Sequence, residues 1–481
     1  MNRTRCVTTG AAVTSAPHGS WSSPVDAGSV ARATAVPEWL GFVGDEVWWT
    51  ESQPAGGGRS ALLRRGAGGA VTEALPGWDV RSEVMGYGGR PWSAVGDGIV
   101  FSTGTDGRVH RWCPGRDPVP LSPAPAGTVL RYADFAERGD EVWCLRETVF
   151  DAAGVQARRE LVAVPLDGSA AEDPAAVRVL AASHDFVSGP RVAPDGDRVA
   201  WIGWNRPAMP WDATDLMVAD VAAGGTLHRA RRVGGGDRDA IVQVEWAPDR
   251  PGMLYAVSDA DGWWNPVEIG VAGDRRTLCA REEEFGEAPW RTGLRSFVPL
   301  ADGRLAVIHG TAERRLGLLT VEGDLRDVPG TGEYTDWSHP ATDGTRVAVV
   351  AAGPSTGHTV LLVDVARGRV QVLREPPGDG RDYATVPYQR ADVGPDGEVV
   401  RSYVHPPYNP RFVAPEAEAP PYLLFVHGGP TSRSRPVHSL EITYFTSRGI
   451  GVVDVQYGGS TGFGRAYRER LRGAWGIVDV R

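Results

Sequence analysis

The sequence has no lysine: all 50 of its basic Lys+Arg residues are arginine. A glycine-rich phosphate loop that needs a following lysine is therefore excluded. With 62 Gly and abundant Ala and Val, arginine at every basic position reads as GC-rich coding rather than a functional choice. Positive charge is also in deficit, 50 Lys+Arg against 60 Asp+Glu, for a formal net charge of -10. That balance argues against nucleic-acid binding, which needs a basic field to attract phosphates. Cysteine is sparse. Cys6, Cys113, Cys144 and Cys279 show no CxxC spacing, which suits neither a disulfide framework nor a zinc site and makes a reducing cytoplasm the expected compartment. The 10 His form no HxxxH or HxH pattern, so neither a metal nor another cofactor is expected. No stretch approaches the roughly 18 consecutive apolar residues of a membrane span. Residues 1–17 have two arginines but no apolar run, unlike a secretory signal.

What is present is a soluble-type composition, 42% hydrophobic, which rules out global disorder. The 17 Trp and 62 Gly invite a search for repeats. A turn built on Gly-Asp, Asp-Gly or Pro-Asp and followed by a short β-prone run recurs seven times, at Gly44-Asp45, Gly96-Asp97, Gly139-Asp140, Asp195-Gly196, Pro248-Asp249, Asp302-Gly303 and Asp343-Gly344. The intervals of roughly 41 to 55 residues fit a four-stranded propeller blade. Gly and Asp tolerate the positive φ of tight hairpins. The expected fold is an all-β seven-bladed β-propeller over residues 18–395, after an extension at 1–17; a large β-sandwich, or a pair of them, is the competing architecture.

The repeat ends near Asp396-Gly397, and the pattern changes. Residues 403–421 are proline-rich and read as a linker. Two compact apolar runs follow, Tyr422-Leu423-Leu424-Phe425-Val426 and Ile450-Gly451-Val452-Val453-Asp454-Val455, each closed by glycine. Such runs suit parallel strands buried on both faces. Residues 439–448 and 465–472 are helical in composition. This β-α-β-α order is the opening of a doubly wound α/β domain, so residues 396–481 are read as the start of an α/β-hydrolase domain.

Three motifs here resemble one family. His427-Gly428-Gly429-Pro430-Thr431, Gly458-Gly459-Ser460-Thr461-Gly462-Phe463-Gly464 and Arg472-Gly473-Ala474-Trp475-Gly476-Ile477-Val478-Asp479 are similar, in sequence and order, to motifs of the prolyl oligopeptidase family of serine peptidases, nearest its acylaminoacyl-peptidase and dipeptidyl-aminopeptidase branches. His18-Gly19-Ser20-Trp21-Ser22-Ser23-Pro24 looks like the lead into a first blade. Met209-Pro210-Trp211-Asp212, Ser258-Asp259 to Asn265, and Glu283-Glu284-Phe285-Gly286 to Trp290 look like mid-propeller signatures. The family usually has Asn where this chain has Gln456. The resemblance implies a propeller capping a hydrolase domain that cleaves short peptides by acyl transfer to serine, with the propeller excluding large folded proteins.

Acyl transfer needs a nucleophile, a base, an orienting acid and donors for the oxyanion. By the resemblance, the Gly429 N–H is one oxyanion donor, and His427 and Gly428 shape its loop. Ser460 sits in a G-x-S-x-G match, yet the order Ser, acid, His is not met: Asp479 follows it and no His does. A second match, Gly353-Pro354-Ser355-Thr356-Gly357, falls within the repeats. The resemblance places the nucleophile, acid and base beyond Arg481, so the chain is expected to be C-terminally incomplete, inactive alone and short of a complementing C-terminal segment. Two other readings stand beside it: a non-catalytic scaffold binding a peptide or protein, and one half of a split enzyme. Glu283 and Glu284 belong to an acidic run that reads either as a solvated turn or as an anchor for a peptide's free amine. Aminopeptidase, acyl-peptide, dipeptidyl and prolyl specificities all remain open.

Overall fold

A computed structural model describes residues 13–480 except 33–34, 67, 152–155, 377, 379 and 395–396; Cys6 and Asp396 lie outside the described residues. From residue 37 to 374 the chain forms seven four-stranded antiparallel sheets, each made of four consecutive strands in sequence order. All seven turns picked out above join the first strand of a sheet to the second. Gly44 (φ +57°) and Gly96 (φ +56°) take the left-handed backbone that such a hairpin asks of glycine.

Packing runs between the sheets. Seven apolar cores each combine side chains of two neighbouring sheets. Trp48 of the first sheet meets Trp92 and Trp112 of the second. Trp143 of the third lies with Val187 and Trp201 of the fourth. The last core joins the ends of the series: Leu40 and Trp49 of the first sheet pack on Val350 and Val360 of the seventh. Arg374 seals that seam by reaching Glu51 at 3.0 Å. Sheets that cover one another in sequence, and the last the first, make a propeller-type ring.

The rest is a mixed sheet in the order Tyr388–Val393, Val399–His405, Gly451–Gln456, Tyr422–Val426, of which the last two are parallel. Helix Leu440–Thr446, capped by the Ser439 side chain, connects these two strands and sets Phe445 edge-on against Phe425. The β-α-β unit is therefore present. Gly451–Gln456 has a partner on either side. Tyr422–Val426 has one partner among the described residues, and Leu424 is 72% exposed on it.

Residues 18–24 do not lead into the ring, whose first strand is Pro37–Val43. Thr14–Ser15 pairs in parallel with Phe412–Val413, and Trp21 stacks on Phe412. Ser447 bonds Ser23 at 2.7 Å. Trp21 needs apolar cover, and the mixed-sheet portion supplies it.

Replacing Trp48, which is 1% exposed, by Ala should cost about 3–5 kcal/mol through lost burial and a residual cavity. Urea unfolding measures it, with exposed Tyr388→Ala as a control expected to stay within about 0.5 kcal/mol.

Candidate active-site region

The turn 427–431 leaves the end of the strand Tyr422–Val426. Gly429 has φ +137°, and a Cβ there would lie 2.9 Å from the Thr431 nitrogen, so glycine is required. Gly429 is exposed, and its N–H donates to no acceptor among the described residues. A neighbouring turn holds this one. Tyr457 stacks on the His427 ring at 4.5 Å and donates its hydroxyl to the His427 carbonyl at 2.8 Å. Thr461 N–H donates to the Ser432 carbonyl at 2.7 Å. Gln456 grips Ser434 with both ends of its amide, at 3.0 and 2.7 Å. The residue that departs from the family pattern thus pins the segment following the turn.

His427 and Ser460 are brought together, Nε2 to Oγ at 2.7 Å. The other ring nitrogen lies 2.9 Å from the Gly428 carbonyl. A carbonyl only accepts, so these partners assign the proton to Nδ1 and leave Nε2 to accept from the serine hydroxyl. Burial lowers the His427 pKa, partly offset by the Gly428 carbonyl, which keeps the ring neutral at pH 7. The pair has half the look of a catalytic dyad, but Ser460 is 0% exposed and no carboxylate among the described residues orients the imidazole. Sequence order and the resemblance both placed Ser460 outside catalysis, and its side chain is fully buried.

The ring faces this region with charge. Asp259 is 0% exposed; it accepts from Ala240 N–H at 2.8 Å and Arg465 at 2.9 Å and also pairs with Arg468. Arg468 lies 4.0 Å over the Trp264 ring. Arg433 binds Glu287 at 2.8 Å and also pairs with Asp336. Glu284 is fully buried; its two oxygens accept from Trp264 N–H and Gly464 N–H, both at 3.0 Å. Glu283 belongs to another network, with His309 at 2.7 Å. The two glutamates therefore do not converge on one ligand, and each Glu284 oxygen is engaged by a buried backbone amide. Glu284 is a clamp between ring and mixed sheet, a role invisible in a run of acidic residues. Asp259 lies in a stretch singled out as a mid-propeller signature, but its pairing, like that of Arg433, Arg465 and Arg468, was not legible because the partners lie far along the chain.

No group of His, Cys, Asp and Glu among the described residues is placed to hold a metal ion. Among the same residues no helix is long and apolar enough to cross a membrane.

Comparison with family models and with curated proteins finds no match. Solved structures do match. Puromycin hydrolase, as a serine-to-alanine mutant complexed with PGG, is 45% identical with a TM-score of 0.92, over 97% of this chain and 73% of that one. A Mycobacterium tuberculosis puromycin-hydrolyzing peptidase is 42% identical with a TM-score of 0.90, over 97% of this chain and 73% of that one. The Pyrococcus horikoshii acylaminoacyl peptidase, 13% identical with a TM-score of 0.61 over 92% of this chain and 69% of that one, shares the fold. The chain belongs to the prolyl oligopeptidase family of peptidases.

Two outcomes test the docking face. Asp259→Asn leaves two buried guanidinium groups without their carboxylate, which should cost about 3–5 kcal/mol. It should also speed tryptic cleavage after residue 400 while the ring resists, as read by gel and mass spectrometry. For Glu287, burial pushes the carboxyl up, but Arg433, Arg435 and Arg314 more than offset this and hold it well below its ordinary 4.5. A depressed folded value stabilises above the unfolded pKa and is lost as pH falls towards the folded one. The stability gap between wild type and Glu287→Gln should thus be level above about pH 5.5 and shrink progressively below about pH 4.5. Urea midpoints across pH measure it.

Proposed function

We propose that this chain forms the seven-bladed propeller and the beginning of the α/β-hydrolase domain of a serine peptidase that hydrolyses short peptides. The ring falls within residues 18–395 and the hydrolase portion in 396–481, joined by the N-terminal residues that pack on it. The observation that carries this reading is the 45% identity and TM-score of 0.92 to puromycin hydrolase over 97% of the chain.

In this reading the Gly429 N–H donates to the oxyanion of the tetrahedral intermediate. His427 and Gly428 hold its loop. Neutral His427 is engaged by Ser460 and the Gly428 carbonyl, and so leaves the proton transfer to another histidine. A nucleophile on its own elbow, an acid and a base come from a further segment, and the chain by itself does not turn over peptide. The exposed edge at Tyr422–Val426 favours completion by added strands, since an unpaired apolar strand edge invites pairing. The same edge supports the split-enzyme version, in which that segment is a separate polypeptide. A non-catalytic scaffold has no use for the Gly429 turn.

The test is labelling by a serine-directed fluorophosphonate. The chain alone should not label. The chain fused to, or mixed with, the part of puromycin hydrolase that it does not cover should label, and Ser460→Ala in that complete form should leave labelling intact. Labelling of the chain alone that disappears in Ser460→Ala, or no labelling of the complete form, overturns the reading.

A further inference from the structure

The mixed sheet ends on one side with Tyr388–Val393, whose one partner among the described residues is Val399–His405. All six residues of this strand are exposed, Val393 to 73%. The turn that follows fixes which of its backbone groups are free. Gly394 N–H donates to the Glu398 carbonyl at 2.8 Å. The same register runs on without a bulge from Val393 opposite Val399 to Tyr388 opposite Val404. Hydrogen-bonded and non-hydrogen-bonded pairs alternate along an antiparallel ladder. Tyr388, Arg390 and Asp392 therefore bond inward, to Val399–His405. Gln389, Ala391 and Val393 turn their N–H and C=O groups outward. An open edge of this kind is a template for another strand.

Side chains alternate between the two faces in the same way. On one face Arg390 Nε donates to the two Asp392 oxygens at 2.8 and 2.7 Å. These side chains are still 58% and 51% exposed, so each can meet a second charge. Glu313, which accepts from Gln389 at 3.4 Å, and Arg401, opposite Ala391, belong to the other face.

We propose that Tyr388–Val393 is a dimer interface, pairing antiparallel with the same strand of a second copy about a two-fold axis at Ala391. In that register Ala391 faces the partner's Ala391, and Gln389 faces the partner's Val393. Both are hydrogen-bonded pairs that use the outward backbone groups. Arg390 then stands opposite the partner's Asp392, and Asp392 opposite the partner's Arg390. These fall in the closer, non-hydrogen-bonded pairs, with Cα atoms about 4.5 Å apart. Charge selects the register. An axis at Arg390 sets two arginines face to face, and an axis at Asp392 two aspartates, both destabilising. An axis nearer either end of the strand pairs fewer residues. The strand is thus self-complementary, as an isologous two-fold contact requires. Pairing joins two four-stranded sheets into one and leaves Tyr422–Val426, at the opposite edge, free.

Sedimentation equilibrium of the full chain from about 5 to 200 μM tests it, a range suited to so narrow an interface. The mass should climb from 51.4 kDa towards twice that value. Arg390→Asp or Asp392→Arg opposes like charges twice per dimer and should weaken association roughly tenfold or more. The two substitutions together exchange the signs and should restore it. Ala391→Pro removes an outward N–H and should abolish the dimer. Leu424→Asp, on the opposite edge, should leave it intact. Thermal melts of the charge variants, unchanged at such exposed positions, verify folding. A monomer at every concentration means that the edge stays free or is covered by another part of the chain, and overturns the proposal. So does a dimer indifferent to the single charge reversals or to Ala391→Pro, one that the double reversal fails to restore, or one lost in Leu424→Asp.

Discussion

An antiparallel sheet with apolar side chains on both faces must be covered twice. In this chain the cover is the neighbouring sheet, and a linear stack would leave two faces wet. Contact of Leu40 and Trp49 with Val350 and Val360 removes that cost. Burial is worth about 25 cal/mol per Å² of apolar surface, so closure couples residues more than 300 positions apart into one unit. It also makes the inner strands converge. Their registers shift at related places, between Glu38 and Gly41, Ala133 and Ala136, and Ser338 and Ala341. Trp39, Asp134 and His339 in those bulges take positive φ. Bulges of this kind bend a strand and re-aim its side chains; Trp39 lies under Arg291 and Asp134 beside Gly293.

The mixed sheet is positioned by the ring as much as by its own strands. Asp259, Glu284, Glu287 and Asp336 face Arg433, Arg465, Arg468 and the Gly464 amide. Buried pairs of this sort are weak evidence for net stability, since desolvation offsets the attraction; losing one partner is what costs. Here they fix orientation. Thr431 is held by Trp290, Ser432 by Thr461 and Ser434 by Gln456. The exposed Gly429 N–H owes its direction to elements from both portions.

Several features were legible in the residues. Asp-Gly and Gly-Asp turns betrayed the repeat because a tight hairpin restricts what can occupy it. The β-α-β unit was legible because two short apolar runs closed by glycine flank a helical stretch, and Val452 is fully buried in the second. Other readings failed where a local pattern had a distant partner. Trp21 looked like part of a blade and instead packs on Phe412. Glu284 looked like one acid in a solvated run and is fully buried, bonded to two backbone amides. His427 beside Ser460 was invisible, because the two lie 33 residues apart.

By itself, then, the sequence determined the period of the sheets, the turns between their strands, the β-α-β order and the presence of a Gly-Gly-Pro turn. These are local properties, set by φ/ψ tolerance and by the alternation of apolar residues. Tertiary structure alone decided which sheet closes the ring, where the N-terminal residues dock, which carboxylates meet which arginines, and that Trp290 reaches Thr431. Those outcomes depend on burial and on Coulomb pairing between residues distant in the chain, and no short window of sequence contains both partners.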